Sequence, residues 1–487
     1  MSGHRTARAL IYTHRWLGVA LGLLFVVWFA SGIVMIYARM PELSATERLA
    51  RLPALHPSTI RAAPPSEGEI ARLVISSLES RPIYRLSVNG RTHTIFADTG
   101  DPVPAVDHDQ ALRIARAFHG GTHALRYDAR LTDADQWSFG IRARMPVHRI
   151  AVDDPQSTVL YVAEHGGDVL LKTTGSGRFW GWTGAVLHWW YFTPLRRSSS
   201  LWSSAIVWSS IAGTVMCIAG LLWGAWRYSP LRGYRLKRQR RWSPYAGWMR
   251  WHHYAGLLFG LTATTWIFSG LLSMDPWSWH PSTAPTREQR QRVSDGPIAA
   301  STLTVARLRR VIQAYAPQWP KEVEIVRFRG REYASASGGL VSFEQPQFGA
   351  LDQLPPDALV GAASLAMPGV AIDGMTWLDD YDAYYYDRHR RLSLPVLRVR
   401  YADPQRTWLY FDPRRGSIAR KEERLTRLNR WLYHGLHSLD FPFLYYRRPL
   451  WDVVVIALSL GGLVLSATTL TASWRRIKRS TARRLRR

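Results

Sequence analysis

Four long stretches of the chain contain no Asp, Glu, Lys or Arg: Trp16 to Ala38, Ser198 to Trp226, Tyr254 to Met274 and Val453 to Trp474. Each meets or exceeds the roughly 20 residues that a helix needs to cross about 30 Å of hydrocarbon. The rival reading is a buried helix in a soluble core. Four such runs, each closed by charged residues, disfavour it. The mean hydropathy of −0.16 conceals this segregation because it averages over charged segments. The first run reads as a retained anchor rather than a cleaved signal peptide. Its apolar core is long, and no small-x-small cleavage site precedes Met40-Pro41.

The formal net charge is +27, and its placement matters more than its size. Arg5, Arg8 and Arg15 precede the first run without an acid among them, and residues 227–250 and 475–487 are rich in Lys and Arg and also lack acids. An even number of crossings puts these three segments on one side, and the positive-inside rule makes that side the cytoplasm. Charge held beside the membrane reads as a topology signal and as attraction to lipid headgroups, not as a nucleic-acid surface. The expected layout is an N-terminus with helix (1–40), an external segment (41–197), a helix (198–226), a basic cytoplasmic loop (227–250), a helix (251–274), a second external segment (275–452), a helix (453–474) and a basic tail (475–487). Both external segments read as folded α+β material. Candidate helices run from Gln110 to Phe118 and from Val305 to Tyr315, and candidate strands from Thr158 to Val162 and from Thr407 to Phe411. Turn-forming clusters stand at Ala63-Pro64-Pro65-Ser66 and from Pro281 to Pro285. The single Cys217 precludes an intrachain disulfide.

The chain also repeats itself. With His14 set on His252, Gly18, Gly22, Trp28, Ser31 and Gly32 fall on Gly256, Gly260, Trp266, Ser269 and Gly270. With His188 set on His437, Trp182, Leu187, Phe192, Trp202 and Gly213 fall on Trp431, Leu436, Phe441, Trp451 and Gly462. The same register puts Pro146 on Pro395, Asp154-Pro155-Gln156 on Asp403-Pro404-Gln405, Thr158 on Thr407 and Tyr161 on Tyr410. Each half thus reads helix, external domain, helix. Two crossings per half make the repeats parallel, related by a pseudo-twofold axis along the membrane normal.

Such an axis brings equivalent residues face to face. His14 and His252 open a span at the cytoplasmic end, while His188 and His437 precede a span at the external end. Two symmetric pairs at opposite faces suit two bis-histidine haems, with iron as the bound metal, because neutral imidazole ligates iron from either side of the ring. Trp16, Trp189, Trp190, Trp251 and Tyr254 are expected to provide aromatic surroundings. An interfacial role without ligation is the bland reading of any one of these histidines; the matched pairs argue against it. His253 and His434 have no counterpart in the other half and stand behind the four as neighbours or spare ligands, and unpaired His119 and His123 read as exposed loop residues. Zinc at His434-x-x-His437 lacks a nearby third ligand in the sequence. Gly18-x-x-x-Gly22 and Gly256-x-x-x-Gly260 suggest a close crossing of the first and third helices.

The run His14-Arg15-Trp16-Leu17-Gly18, the pair Ser31-Gly32 and the run Leu187-His188-Trp189-Trp190 resemble the PepSY-associated transmembrane family of bacterial inner-membrane proteins, many of them iron-regulated. Asp154-Pro155-Gln156-x-Thr158 and Leu394-Pro395-Val396 resemble its external-domain signatures, and the likeness runs from about His14 to Arg475. The resemblance implies two external PepSY-like domains. It also implies, from ferric-siderophore reductases in that family, two b-type haems and electron transfer across the membrane. Trp189 stands where Arg or Lys often follows the histidine, and His252-His253 replaces His-Arg, which leaves the ligand open between those two.

The expected function is an inner-membrane di-haem b oxidoreductase that reduces a ferric siderophore or other ferric chelate on the external side. No Gly-x-Gly-x-x-Gly fingerprint or cytoplasmic domain is available for a flavin, so the donor is expected to be a quinol or a separate reductase. The alternatives are a membrane-anchored PepSY module that binds or inhibits an envelope peptidase, and a transporter. Transport is disfavoured because the spans lack an acid or base to bind a coupling ion.

Overall fold

A computed structural model describes residues 2–65, 68–231, 233–236, 239–387 and 390–484. Ser66 of the first turn cluster, part of the basic loop and the last three residues of the basic tail lie outside them. The chain divides into two compact units, one of Met1–Met40, Ser176–His280 and Leu428–Arg487, the other of Pro41–Gly175 and Pro281–Arg427.

The first unit is built on α1 (Ser2–Met35), α2 (Ser199–Arg227), α3 (Trp248–Leu272) and α4 (Leu450–Arg484). Among the described residues these four helices are long and apolar enough to cross a membrane. α1 packs on α2 and α4, and α3 packs on the same two, so α1 and α3 stand diagonally across a four-helix ring. This corrects the expected glycine crossing. Gly18 and Gly22 of α1 face Met216, Thr469 and Leu470, while Gly256 and Gly260 of α3 face Leu465 and Leu221. The small residues let α2 and α4 approach, because the diagonal space holds side chains from α1 and α3 themselves. Phe25 and Phe29 of α1 fill the centre against the matched Gly213 and Gly462, where an added Cβ would lie 3.1 and 2.5 Å from a phenyl carbon.

The second unit contains the larger sheets, while a short antiparallel strand pair, Tyr234–Leu236 with Gln239–Arg241, belongs to the first. β1 (Ile70–Leu78), β2 (Arg81–Val88) and β3 (Arg91–Phe96) form an antiparallel meander, followed by a helix at His108–His119 and a four-stranded sheet of β4 (Leu125–Leu131), β5 (Val147–Val152), β6 (Val159–Ala163) and β7 (Val169–Thr173). The same order returns as β8 (Val323–Phe328), β9 (Arg331–Ala336), β10 (Gly339–Ser342), a helix at Pro356–Ala366, and β11 (Ile372–Leu378), β12 (Val396–Tyr401), β13 (Trp408–Asp412) and β14 (Ser417–Glu422). Both helices bury one stripe at helical spacing: Ala111, Ile114 and Ala115 in the first, Leu359, Ala362, Ala363 and Ala366 in the second.

Two separate external domains were expected, one from each segment. Instead β1 pairs with β8 antiparallel, Leu73 opposite Ile325 and Ile75 opposite Val323. The two meanders join into one six-stranded sheet. The physical reason is that each meander would otherwise leave an unpaired strand edge. Their shared apolar face is covered by Leu308, Val311 and Ile312 of the helix at Val305–Gln313.

The paired Asp-Pro-Gln-x-Thr motifs are hairpin loops. Asp154 accepts from the Thr158 amide at 2.8 Å and hydroxyl at 2.7 Å, and Asp403 accepts from those of Thr407 at 2.6 and 2.7 Å. Asp403 and Thr407 are both buried. Asp403→Ala leaves a buried amide and hydroxyl unpaired, which costs roughly 1–3 kcal/mol. The expected outcome is a lowered thermal unfolding midpoint of the detergent-solubilised protein; an unchanged midpoint refutes it.

Candidate functional site

The helical unit brings four histidines together in two pairs. His14 of α1 and His252 of α3 have ring centroids 5.9 Å apart, with planes inclined at 38°. His188 and His437, on short arms preceding α2 and α4, lie 6.2 Å apart at 69°. His188 packs beside Trp28, Ser31 and Gly32 of α1 and His437 beside Trp266, Ser269 and Gly270 of α3, in each case starting fourteen residues beyond the histidine of the first pair on that helix. At 1.5 Å of rise per residue that is about 20 Å along the helix.

Each arm contains a π-helical turn, Trp182–Val186 in one and Arg430–Gly435 in the other, followed by one helical turn that carries the histidine. A π turn adds a residue to the helix and re-aims the side chains after it, a device frequent at functional sites. Trp190 and Leu439 then turn left-handed, with φ of 54° and 49°. The indole of Trp202 donates to the Trp189 carbonyl at 2.8 Å, and that of Trp451 donates to the Ser438 carbonyl at 2.9 Å. These bonds fix each arm one residue past its histidine. The second arm is further held by buried Arg430, which donates to the Asp440 carboxylate and carbonyl, both at 2.7 Å.

Hydrogen-bond accounting assigns the histidine tautomers. Nδ1 of His188 lies 3.1 Å from the Trp28 carbonyl and 3.2 Å from the Ser31 hydroxyl. That hydroxyl already donates to the Val27 carbonyl at 2.6 Å. Both partners therefore accept, so Nδ1 carries the proton and Nε2 the lone pair. His437 repeats the arrangement with the Trp266 carbonyl and the Ser269 hydroxyl, each at 3.1 Å. Nδ1 of His14 meets the Met216 carbonyl at 3.0 Å, and Nδ1 of His252 meets the Thr468 hydroxyl at 3.0 Å. Thr468 in turn donates to the Leu465 carbonyl. In all four the Nδ1–H is committed to the helices, which is how metal-ligating histidines are usually oriented, and Nε2 is left to ligate.

His253 has the opposite assignment. Its Nε2 lies 2.8 Å from the Gly224 carbonyl and its Nδ1 2.8 Å from the buried Ser243 hydroxyl. Both nitrogens are engaged, whereas His252, bonded through Nδ1, is the ring that lies 5.9 Å from His14. The His434 ring lies 4.5 Å from that of Tyr433 with the planes inclined at 44°, and Tyr433 lies 5.6 Å from His437. Among the described residues no group of three or more His, Cys, Asp and Glu is placed to hold a metal ion. Each pair could thus offer at most two imidazole nitrogens to a bound ion. Metal–imidazole bonds of about 2 Å on opposite sides of one ion put the ring centroids roughly 6 Å apart, and both pairs fit that separation.

The aromatic surroundings differ from those expected. Trp16, Trp189 and Trp251 are exposed, because a residue one or two places from a histidine points to another face of the helix. Trp28 stacks on Trp190 at 6.1 Å, and Phe25, Phe29 and Trp266 continue the aromatic contacts through the bundle core. The duplication marked Trp28, Ser31, Trp202 and their counterparts as matched positions; only the structure reveals them as supports of the histidine rings.

Compared with protein-family models and with curated proteins, the chain matches none. One consequence of the geometry is directly testable. A Cβ added at Gly220 would lie 2.4 Å from Cε1 and Nδ1 of His14, whereas one at Gly224 meets nothing closer than 3.6 Å. Gly220→Ala must displace the His14 ring and is expected to weaken, by roughly tenfold or more, the binding of any haem that this pair holds. Gly224→Ala should not, and titration of haem into the detergent-solubilised protein reads the difference.

Proposed function

We propose that this chain is a bacterial inner-membrane electron-transfer protein of the PepSY-associated type. It holds one b-type haem with His14 and His252 and another with His188 and His437. It reduces a ferric siderophore or other ferric chelate on the periplasmic side. The observation that carries the reading is the common state of the four imidazoles. Each has its Nδ1–H anchored to the bundle, its Nε2 lone pair available, and a partner ring about 6 Å away. Haem supplies one-electron chemistry when bound.

The chain's own contribution is to hold and orient. The Trp28 and Trp266 carbonyls fix two imidazoles, and Met216 and Thr468 fix the others. Packed aromatic rings around Phe25, Phe29 and Trp266 leave little room for water in the interior. Two holding sites near opposite ends of the uncharged run of α1 suit transfer from one membrane face to the other. The basic segments at 1–15, 227–250 and 475–487 support a cytoplasmic location for both termini. Reduction to Fe(II) weakens the grip of a hard oxygen chelator and so releases iron. A quinol or a separate reductase is the proposed electron donor, in keeping with the lack of a Gly-x-Gly-x-x-Gly fingerprint in the sequence.

Protein purified in mild detergent from haem-replete cells is expected to show a Soret band and, on dithionite reduction, sharp α and β bands from two haems per chain. His14→Ala and His252→Ala should each remove or convert to high spin the same haem, with no further loss in the double variant, because two ligands of one iron act as a unit. His188→Ala and His437→Ala should do likewise for the other haem, and His253→Ala should leave both six-coordinate. A colourless preparation favours instead a membrane-anchored module that binds an envelope partner.

Reporter fusions at Arg240 and after Arg487 are expected to report cytoplasm, and fusions at Gly100 and Ala350 periplasm. A cytoplasmic signal at Ala350 rules out the proposed topology.

A further inference from the structure

His119 and His123 were read from sequence as ordinary loop residues, but the fold gives them a specific relation. His119 is the last residue of the helix at His108–His119, and Gly120 caps that helix in the left-handed conformation, with φ of 66°. The chain then turns back before β4, bringing Nε2 of His119 to 3.4 Å from Nδ1 of His123. That separation is long for an N–H···N hydrogen bond. It agrees with two nitrogens bound to one ion, since metal–nitrogen bonds of about 2 Å at a tetrahedral angle put the nitrogens roughly 3.3 Å apart.

The face in front of these nitrogens is kept clear by Gly121. A Cβ there would lie 3.1 Å from His119 Nε2 and 3.2 Å from His123 Nδ1. Asp154 lies within electrostatic reach of both imidazoles, and the Asp153 amide bonds the Ala124 carbonyl at 2.9 Å, which brings this acidic hairpin loop beside the histidines. The nearby cation is Arg51, whose guanidinium packs on Gly120.

The duplication separates what the fold needs from what it does not. In the register that sets His188 on His437, Gly120 falls on Gly369, which is also left-handed, with φ of 76°. His119, Gly121 and His123 fall on Pro368, Val370 and Ile372. The second half leaves its helix at Ala366 and enters the same sheet at Ile372 without the histidines or the open glycine.

We propose that His119 and His123 form a surface site for a divalent late first-row transition ion, with Gly121 leaving the ion accessible and water completing its coordination. Imidazole suits nickel, copper, zinc and ferrous iron. With two protein ligands the site is open and exchangeable rather than structural. It is independent of the redox reading and survives that reading's failure.

The test is isothermal titration of the full-length protein, as purified in detergent, with Ni(II). His119→Ala and His123→Ala are each expected to weaken binding by roughly tenfold or more, and the double variant should lose no more than either alone. Gly121→Val, which keeps both histidines, should also weaken binding. His93→Ala, at an exposed site on β3, should not. Indistinguishable isotherms for the wild type and the double variant overturn the site. Equal losses in His93→Ala and His119→Ala also overturn it, because binding would then belong to surface histidines in general.

Discussion

An imidazole placed inside an apolar helix bundle must have its N–H satisfied, and here that single requirement organises the site. His14, His188 and His437 each give Nδ1–H to a main-chain carbonyl, and His252 gives it to a threonine hydroxyl. Helix carbonyls are ordinarily occupied by the i+4 amide. A carbonyl's second lone pair can still accept, so the donor is satisfied without breaking the helix. The ring is thereby fixed in direction and in tautomer, with its partner ring about 6 Å away. The contrast with His253 shows how much depends on this. One residue away, with a carbonyl on Nε2 and a hydroxyl on Nδ1, an identical side chain becomes a tie between α2, α3 and the basic loop.

The arms that carry His188 and His437 extend the same logic to the backbone. Each histidine follows a π-helical turn and precedes a left-handed residue. An indole from the following long helix bonds the carbonyl one residue past it. Both arms are therefore fixed before and after the ring. The buried Arg430–Asp440 pair belongs to one arm only, and it makes the two arms chemically unequal despite their common plan.

Much of this was legible in the sequence. The absence of charge over four long runs sets the helices, because a charged side chain in hydrocarbon is costly. The matched spacings of His14 with His252 and of His188 with His437 predict which residues face one another, since a duplicated fold reuses its contacts. The hairpin loops at Asp154 and Asp403 follow from local chemistry as well, an Asp reaching four residues on to a Thr. Those features depend on composition, period and short-range bonding, all of which a single sequence carries.

Tertiary structure decided the rest. The choice of His252 over His253 rests on which face of α3 meets α1 across the ring, and adjacent helix positions differ by about 100°. The glycine motifs face α2 and α4 rather than each other, because ring order, not motif, sets the neighbours. The merger of the two meanders through β1 and β8 depends on strand edges some 250 residues apart in the chain. The approach of His119 to His123 depends on how a left-handed glycine turns the chain. In each case the deciding contact joins surfaces whose orientation is fixed only when the whole chain is packed, which is why the pattern along the chain predicts the elements and their pairing but not the faces they present.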